Sequence, residues 1–112
     1  MPHQNTMSKT VILTLNPALD VEWRVDALRP EEKNSILAEA RWAGGKGVNV
    51  ARWMRFLGGQ PRLVIPLGGD VGRELAQCLR RERVPARIVP LREATRANVV
   101  ITAPDGQMRF NQ

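Results

Sequence analysis

Apolar and polar residues follow three rhythms along the chain, and each predicts a different element. Thr10 to Leu15 (TVILTL) is a β-branched apolar run closed by Asn16-Pro17, the pattern of a buried strand stopped by a turn. Arg62 to Leu67 and Ala86 to Leu91 repeat it. Val21 to Asp26 instead alternates strictly, with Val21, Trp23 and Val25 opposed by Glu22, Arg24 and Asp26. Ile36 to Trp42 does the same, with Ile36, Ala38, Ala40 and Trp42 opposed by Leu37, Glu39 and Arg41, so both read as strands with one wet face. Helical spacing takes over in Val48 to Leu57, through Val50, Ala51, Trp53, Met54 and Leu57, until Gly58-Gly59. It returns in Gly72 to Val84, where Val71, Leu75, Cys78 and Leu79 share one arc and Arg73, Gln77, Arg80 and Arg81 face away. A hairpin ends the chain: Asn98 to Ala103 and Gln107 to Asn111 alternate around Pro104-Asp105-Gly106.

The order strand–helix–strand–helix–strand predicts an α/β fold whose parallel sheet is joined by right-handed crossovers. Two pairs of extra strands, at 21–42 and 98–111, interrupt it and are expected to form one small sheet. The apolar face of that sheet, carrying Trp23 or Trp42, requires cover from a ligand or another subunit. The third core strand is expected to be an open edge. Ligands of open parallel sheets bind beyond the carboxyl ends of the strands. That rule points to the turns Asn16–Asp20, Gly68-Gly69-Asp70 and Arg92–Arg96, with Asp20 and Arg96 sharing one crevice. Asp70 in the second turn reads as an ordinary helix N-cap.

Length and composition narrow this picture. The 112 residues allow one small domain, residues 10–112, after a polar leader at 1–9 expected to be disordered. Apolar residues at 43% suffice for a core. With one cysteine, Cys78, and one histidine, His3 in the leader, there is no disulfide framework, no Cys/His metal site and no Cys–His catalytic pair. Cys78 reads as a small core residue. The absence of a signal-peptide pattern and of a membrane-length apolar run sets the cytoplasm as the expected compartment, with no membrane partner. A net charge of +6 predicts attraction to anions without identifying them, and 14 of the 17 basic residues are arginine.

Gly44-Gly45-Lys46-Gly47 opens the first helix and is the sharpest local signal. It is not a Walker A loop, because Ala40 occupies the first glycine position and Gly47 follows the lysine; nor does it carry the third glycine of a dinucleotide fingerprint. What remains is backbone that a ligand can approach closely, at a helix N-terminus carrying free amides and roughly half a positive charge, with Lys46 adding a full one.

Taken together, Asn16-Pro17-Ala18-Leu19-Asp20, Ala43 to Arg52, Leu57-Gly58-Gly59, Gly68 to Gly72 and Thr95-Arg96-Ala97-Asn98 resemble the amino-terminal part of the ribokinase-like phosphofructokinase B sugar kinases. The resemblance is nearest to the branch of bacterial 1-phosphofructokinase, tagatose-6-phosphate kinase and minor 6-phosphofructokinase, and runs from about Thr10 onward. It implies a partial ribokinase-like fold and ATP-dependent phosphoryl transfer to a hydroxyl of a fructose- or tagatose-phosphate class sugar. By the same resemblance Asp20 and Asn49 bind sugar hydroxyls, Gly44 and Gly45 admit the sugar against the backbone, and Lys33, Lys46 and Arg96 hold the phosphate already on the substrate. The extra strands become a lid that closes over the sugar and forms a homodimer.

Ser35 stands where some members carry an arginine toward the phosphate. The family's Gly-Ala-Gly-Asp catalytic segment and its nucleotide pocket have no counterpart here. No catalytic residue is therefore assigned, the ATP and Mg2+ sites are expected outside this chain, and the chain alone is expected to be inactive. Two non-catalytic alternatives remain: a basic module binding nucleic acid through Arg73, Arg80, Arg81, Arg83 and Arg87, which lacks interleaved aromatics and is not the expected partner class, and a lid-mediated interaction module.

Overall fold

The computed structural model describes residues 9–112, so the leader expectation for residues 1–8, His3 included, lies outside the described residues. The elements run β1 (Lys9–Leu13), β2 (Ala18–Arg24), β3 (Ala38–Gly44), α1 (Lys46–Phe56), β4 (Gln60–Gly68), α2 (Gly69–Arg81), β5 (Ala86–Leu91), β6 (Arg96–Ala103) and β7 (Gly106–Phe110). They form two sheets. One is parallel, in the order β1-β4-β5; the other is the expected small sheet, in the order β3-β2-β6-β7. In the second, β2 and β6 are parallel neighbours and each carries an antiparallel outer partner. Lys9, placed in the leader by sequence, opens β1.

The largest boundary corrections concern the turns. Asp20 is not in the turn after the first strand: β2 already starts at Ala18, and Asp20 sits inside it. Arg96 likewise opens β6 rather than closing a loop, because Ala18 pairs with Arg96 and brings it into the ladder. β3 extends through Gly44, so the glycine loop is the end of a small-sheet strand, while Ile36 and Leu37 precede that strand and are exposed. Helix α2 starts three residues earlier than its apolar spacing implies. Its N-cap is Gly68, and Asp70 lies in the first turn paired with Arg73, so the N-cap reading of Asp70 is overturned.

Packing explains why two sheets hold together. In β4, Pro61, Leu63, Ile65 and Leu67 are buried on one face. Leu63, Ile65 and Leu67 join Val48 and Ala51 of α1, Leu75, Ala76, Cys78 and Leu79 of α2, and Leu19, Val21 and Ala43 from the base of the small sheet in one core. Cys78 is buried, as the helical wheel predicts. Helix α2 thus bridges the sheets, and Arg41 of β3 reinforces the bridge with two hydrogen bonds to the Glu74 carboxylate at 2.6 and 2.9 Å. Those bonds hold the Glu74 carboxyl below its ordinary value. The outer half of the small sheet projects beyond this core. The molecule spans 66 × 35 × 19 Å, with a radius of gyration of 17.1 Å against about 13 Å for a compact chain of this length.

The opposite face of the parallel sheet is open. Val11 and Leu13 are paired in register with Arg62 and Val64, and Pro66 and Gly68 with Val89 and Leu91, so these residues share a face. Val11, Leu13, Val89 and Leu91 are all exposed. Both β1 and β5 are edges, where the sequence reading named only the third strand. Helix α1 shows a related departure. Val48 and Ala51 are buried, but Val50, Trp53, Phe56 and Leu57 form a second, exposed apolar stripe on which Trp53 and Phe56 meet edge to face.

Candidate functional site

Strict alternation in β2 places Asp20, Glu22 and Arg24 on one face of the small sheet and Leu19, Val21 and Trp23 on the other. Register carries that division across the sheet. Asp20 stands opposite Trp42 of β3 and Asn98 of β6, and Val100 stands opposite Arg109 of β7. The two tryptophans therefore lie on opposite faces: Trp42 joins Asp20, and the apolar face carries Trp23. On the Asp20 face a cavity of about 460 Å³ is lined by Asp20, Glu22, Trp42, Asn98, Thr102 and Arg109, among others.

The Asp20 carboxylate has a defined seat. A methyl group on Gly44 would fall 2.0 Å from Asp20 Oδ2, so only glycine leaves room for the carboxylate there. Asn98 Nδ2 donates to Asp20 Oδ1 at 3.5 Å, and Asn98 Oδ1 accepts from the Gln112 backbone at 3.2 Å. Gly45 has φ +102 and packs against Asn16 and Pro17, a conformation that lets the chain leave β3 and enter α1 within one residue.

Helix α1 begins at Lys46 with no side-chain cap and no acidic residue in its first turn, so the positive end of its dipole is uncompensated. A second cleft of about 360 Å³ lies at this end, lined by Leu13, Thr14, Leu15, Asn16, Lys46, Gly47 and Arg96. The Arg96 guanidinium is held by backbone oxygens rather than a carboxylate side chain, donating to Asn16 O at 3.2 Å, Pro17 O at 3.4 Å and Gln112 O at 3.4 Å. Its positive charge is not cancelled by these bonds. Thr14, almost fully buried beside Gly47, has no hydrogen-bond partner for its hydroxyl among the described residues.

Asn49 lies one turn into α1 and accepts a hydrogen bond from Arg52 at 3.0 Å. Arg52 is the hub of this region. It forms two hydrogen bonds with the Glu82 carboxylate, at 2.7 and 2.8 Å, and donates to the Ala43 carbonyl just before the glycines. The pairing holds the Glu82 carboxyl below its ordinary value, the hydrogen bonds from Arg52 being the main cause, and raises that of Arg52. The glycine loop is thereby tied to the end of α2.

The structure brings Asp20, Gly44, Gly45, Lys46, Asn49 and Arg96 to one end of the small sheet, although Asp20 and the Lys46–Arg96 pair line different clefts. It does not bring Lys33 there. Lys33 is exposed in the loop joining β2 to β3, at the far end of these strands from Gly44. Trp42, Asn98 and Arg109 were missed as site residues. The signal that finds them is hairpin register: the turn at Pro104–Gly106 fixes the pairing, and alternation puts Arg109 opposite in facing to Met108 and Phe110.

Among the described residues no three His, Cys, Asp or Glu side chains gather as a metal site, and no helix is long and apolar enough to cross a membrane.

A three-stranded parallel sheet, two helices and a second, four-stranded sheet match part of the fold of a class of carbohydrate kinases. Phosphofructokinase-2 from Escherichia coli, solved in complex with fructose-6-phosphate, matches 95% of this chain with a TM-score of 0.87 and 34% identity, the match covering 36% of that chain. A tetrameric inhibited form of the same enzyme matches 96% of this chain with a TM-score of 0.83, again covering 36% of that chain. ATP-dependent 6-phosphofructokinase isozyme 2 of Mycobacterium tuberculosis is 39% identical over 93 residues, which are 83% of this chain and 27% of that protein. The pfkB family of carbohydrate kinases matches residues 14–111, and the chain belongs to that family. It spans about a third of the length of these relatives.

Proposed function

We propose that this chain is the substrate-binding and lid portion of an ATP-dependent sugar-phosphate kinase of the phosphofructokinase type. The observation that carries the reading is the seat of the Asp20 carboxylate against Gly44, beside an uncapped helix N-terminus bearing Lys46. A carboxylate fixed by Asn98 accepts hydrogen bonds from vicinal sugar hydroxyls. Lys46, Arg96 and the α1 amides attract phosphate by charge-assisted hydrogen bonds. Asn49, held by Arg52, supplies a further polar contact for a hydroxyl. Lys33 reaches the sugar phosphate only when the lid closes or when a second copy brings its loop to the site.

ATP and Mg2+ belong to this reading as cosubstrate and metal. The residues described here do not make a fit for either, and no step is routed through them. Phosphoryl transfer depends on positioning and on electrostatic stabilisation of the transferred group. In this reading those functions lie in the portion of the relatives' length that this chain does not span. With D-fructose 6-phosphate, D-fructose 1-phosphate or D-tagatose 6-phosphate and MgATP, the 112 residues alone are expected to give no turnover above background. The longer polypeptide that supplies the rest of a relative's length is expected to be active. Robust turnover by the short chain, or none by the long one, would overturn the reading.

The apolar face of the small sheet supports self-association as a finer part of the proposal. Trp23, Ile101 and Met108 line a cavity of about 370 Å³ there, with Ile36 exposed at its rim and Phe110 exposed on the same face. A second copy of the lid matches such a face in chemistry. Trp23→Glu is expected to convert a dimer to a monomer in multi-angle light scattering; an unchanged mass would remove Trp23 as an anchor.

A further inference from the structure

We infer that the Thr14 hydroxyl is the fixed hydrogen-bond donor that positions the substrate's phosphate at the amino-terminal end of α1. The inference rests on the functional reading above and gives a role to a residue that the sequence marks only as part of a core strand. Thr14 follows β1 directly, and its backbone amide donates to Val64 O at 2.9 Å, which ties it to the parallel sheet. It is 3% exposed, the one buried polar side chain among the described residues, and its hydroxyl has no partner among them. Burying a hydroxyl without a hydrogen bond costs folding free energy, so the group calls for an acceptor that these residues do not provide.

The surroundings name the kind of acceptor. The hydroxyl lies against the first turn of α1, where a methyl group added to Gly47 would fall 2.3 Å from Thr14 Oγ1. That turn has no side-chain cap and no acidic residue, so its free amides and the positive end of the helix dipole face the same space. Lys46 and Arg96 line the cleft together with Thr14, and no carboxylate side chain does. Hydroxyl, amides, ammonium and guanidinium all donate, and a phosphate oxyanion accepts from all of them at once.

The three side chains differ in what they contribute. Lys46 is exposed on a flexible stem, so its charge follows the ligand. Arg96 already commits donors to the backbone oxygens of Asn16, Pro17 and Gln112. Thr14 is held through its backbone by β4, and its branched side chain is stiff and packed against Gly47. Charge thus draws the phosphate into the cleft, and the Thr14 hydroxyl sets where it stops.

The test pairs ligand binding with thermal unfolding of the 112-residue chain. Wild type, Thr14→Val and Thr14→Ser are titrated calorimetrically with D-fructose 6-phosphate and, separately, D-fructose. Wild type is expected to bind the phosphorylated sugar more tightly. Thr14→Val keeps the shape and removes the donor, so it is expected to weaken D-fructose 6-phosphate binding at least tenfold and D-fructose binding by less than twofold. The ligand-free Thr14→Val protein is expected to melt at the wild-type temperature or above it, because a methyl group replaces an unpartnered buried hydroxyl. Thr14→Ser, which restores the donor, is expected to keep most of the preference for the phosphorylated sugar. A hydroxyl that serves only the fold would move stability and both sugars together. If Thr14→Val binds D-fructose 6-phosphate as wild type does, weakens both sugars equally, melts lower than wild type without ligand, or is matched by Thr14→Ser, the assignment falls and the functional reading stands. If wild type shows no preference for the phosphorylated sugar, the functional reading falls and takes the assignment with it.

Discussion

The small sheet and the parallel sheet differ in how much of their own surroundings the chain supplies. The small sheet has four strands, a polar face on which Asp20, Trp42, Asn98 and Arg109 are already assembled, and a base locked into the core by Leu19, Val21 and Ala43. The parallel sheet has three strands, two free edges, and helices on one face only. Parallel sheets are ordinarily covered on both faces, because their crossovers place helices there. In the proposed reading, the face that recognises the sugar lies within these residues, whereas the parallel sheet leaves its edges and one face for further sheet and helix to cover.

The largest expected effect breaks this comparison from the side of the open face. Val89→Asp is expected to shift the stability of the 112-residue chain by no more than about 0.5 kcal/mol, because Val89 is exposed. In the longer polypeptide the same change is expected to cost about 2–3 kcal/mol, since it would bury an unpaired carboxylate. Equal effects in chemical denaturation of the two proteins would mean that this face stays bare. A somewhat smaller effect probes the assembled face. Gly44→Ala puts a methyl group on Asp20 Oδ2 and is expected to raise the Michaelis constant of the longer polypeptide for its sugar phosphate at least tenfold, about 1.4 kcal/mol, with that for ATP unchanged. An unchanged constant would show that Asp20 does not touch the sugar.

The smallest effect concerns the tie between glycine loop and helix. Glu82→Gln removes the carboxylate paired with Arg52 and is expected to cost about 1 kcal/mol, the pair being partly exposed. The pH dependence has a definite sign. Because the folded-state pKa of Glu82 is lowered, its contribution is complete above the ordinary glutamate range and is lost as the pH falls through the folded value. Wild type and Glu82→Gln should therefore converge in stability as the pH is taken below about 4. A constant difference across that range would remove the ion pair as the cause.

The elements were legible in the sequence because each has its own periodicity. Strict alternation in 21–26 marked a half-wet strand, and the wheel of α2 placed Cys78 inward, where it lies. Boundaries were less legible at turns. Asp20 reads as a turn residue because Asn16-Pro17 breaks the preceding run, yet the chain re-enters a strand at Ala18, since pairing with Arg96 and Gly44 supplies hydrogen bonds that no local signal reveals. Helical spacing alone marked the apolar residues of α1; the structure buries only Val48 and Ala51 fully, because spacing identifies stripes but not which stripe meets the core.

The sequence by itself determined the strand and helix order and the helix-opening glycine turn, both of which depend on local sterics and periodicity. The tertiary structure alone decided which of those residues meet. It set Gly44 against Asp20, placed Trp23 and Trp42 on opposite faces, left Lys33 at the far end of the small sheet and brought Arg109 into the Asp20 cavity. Those outcomes depend on strand register between segments about 80 residues apart, such as Asp20 and Asn98, where pairing is fixed by the packing of the whole sheet.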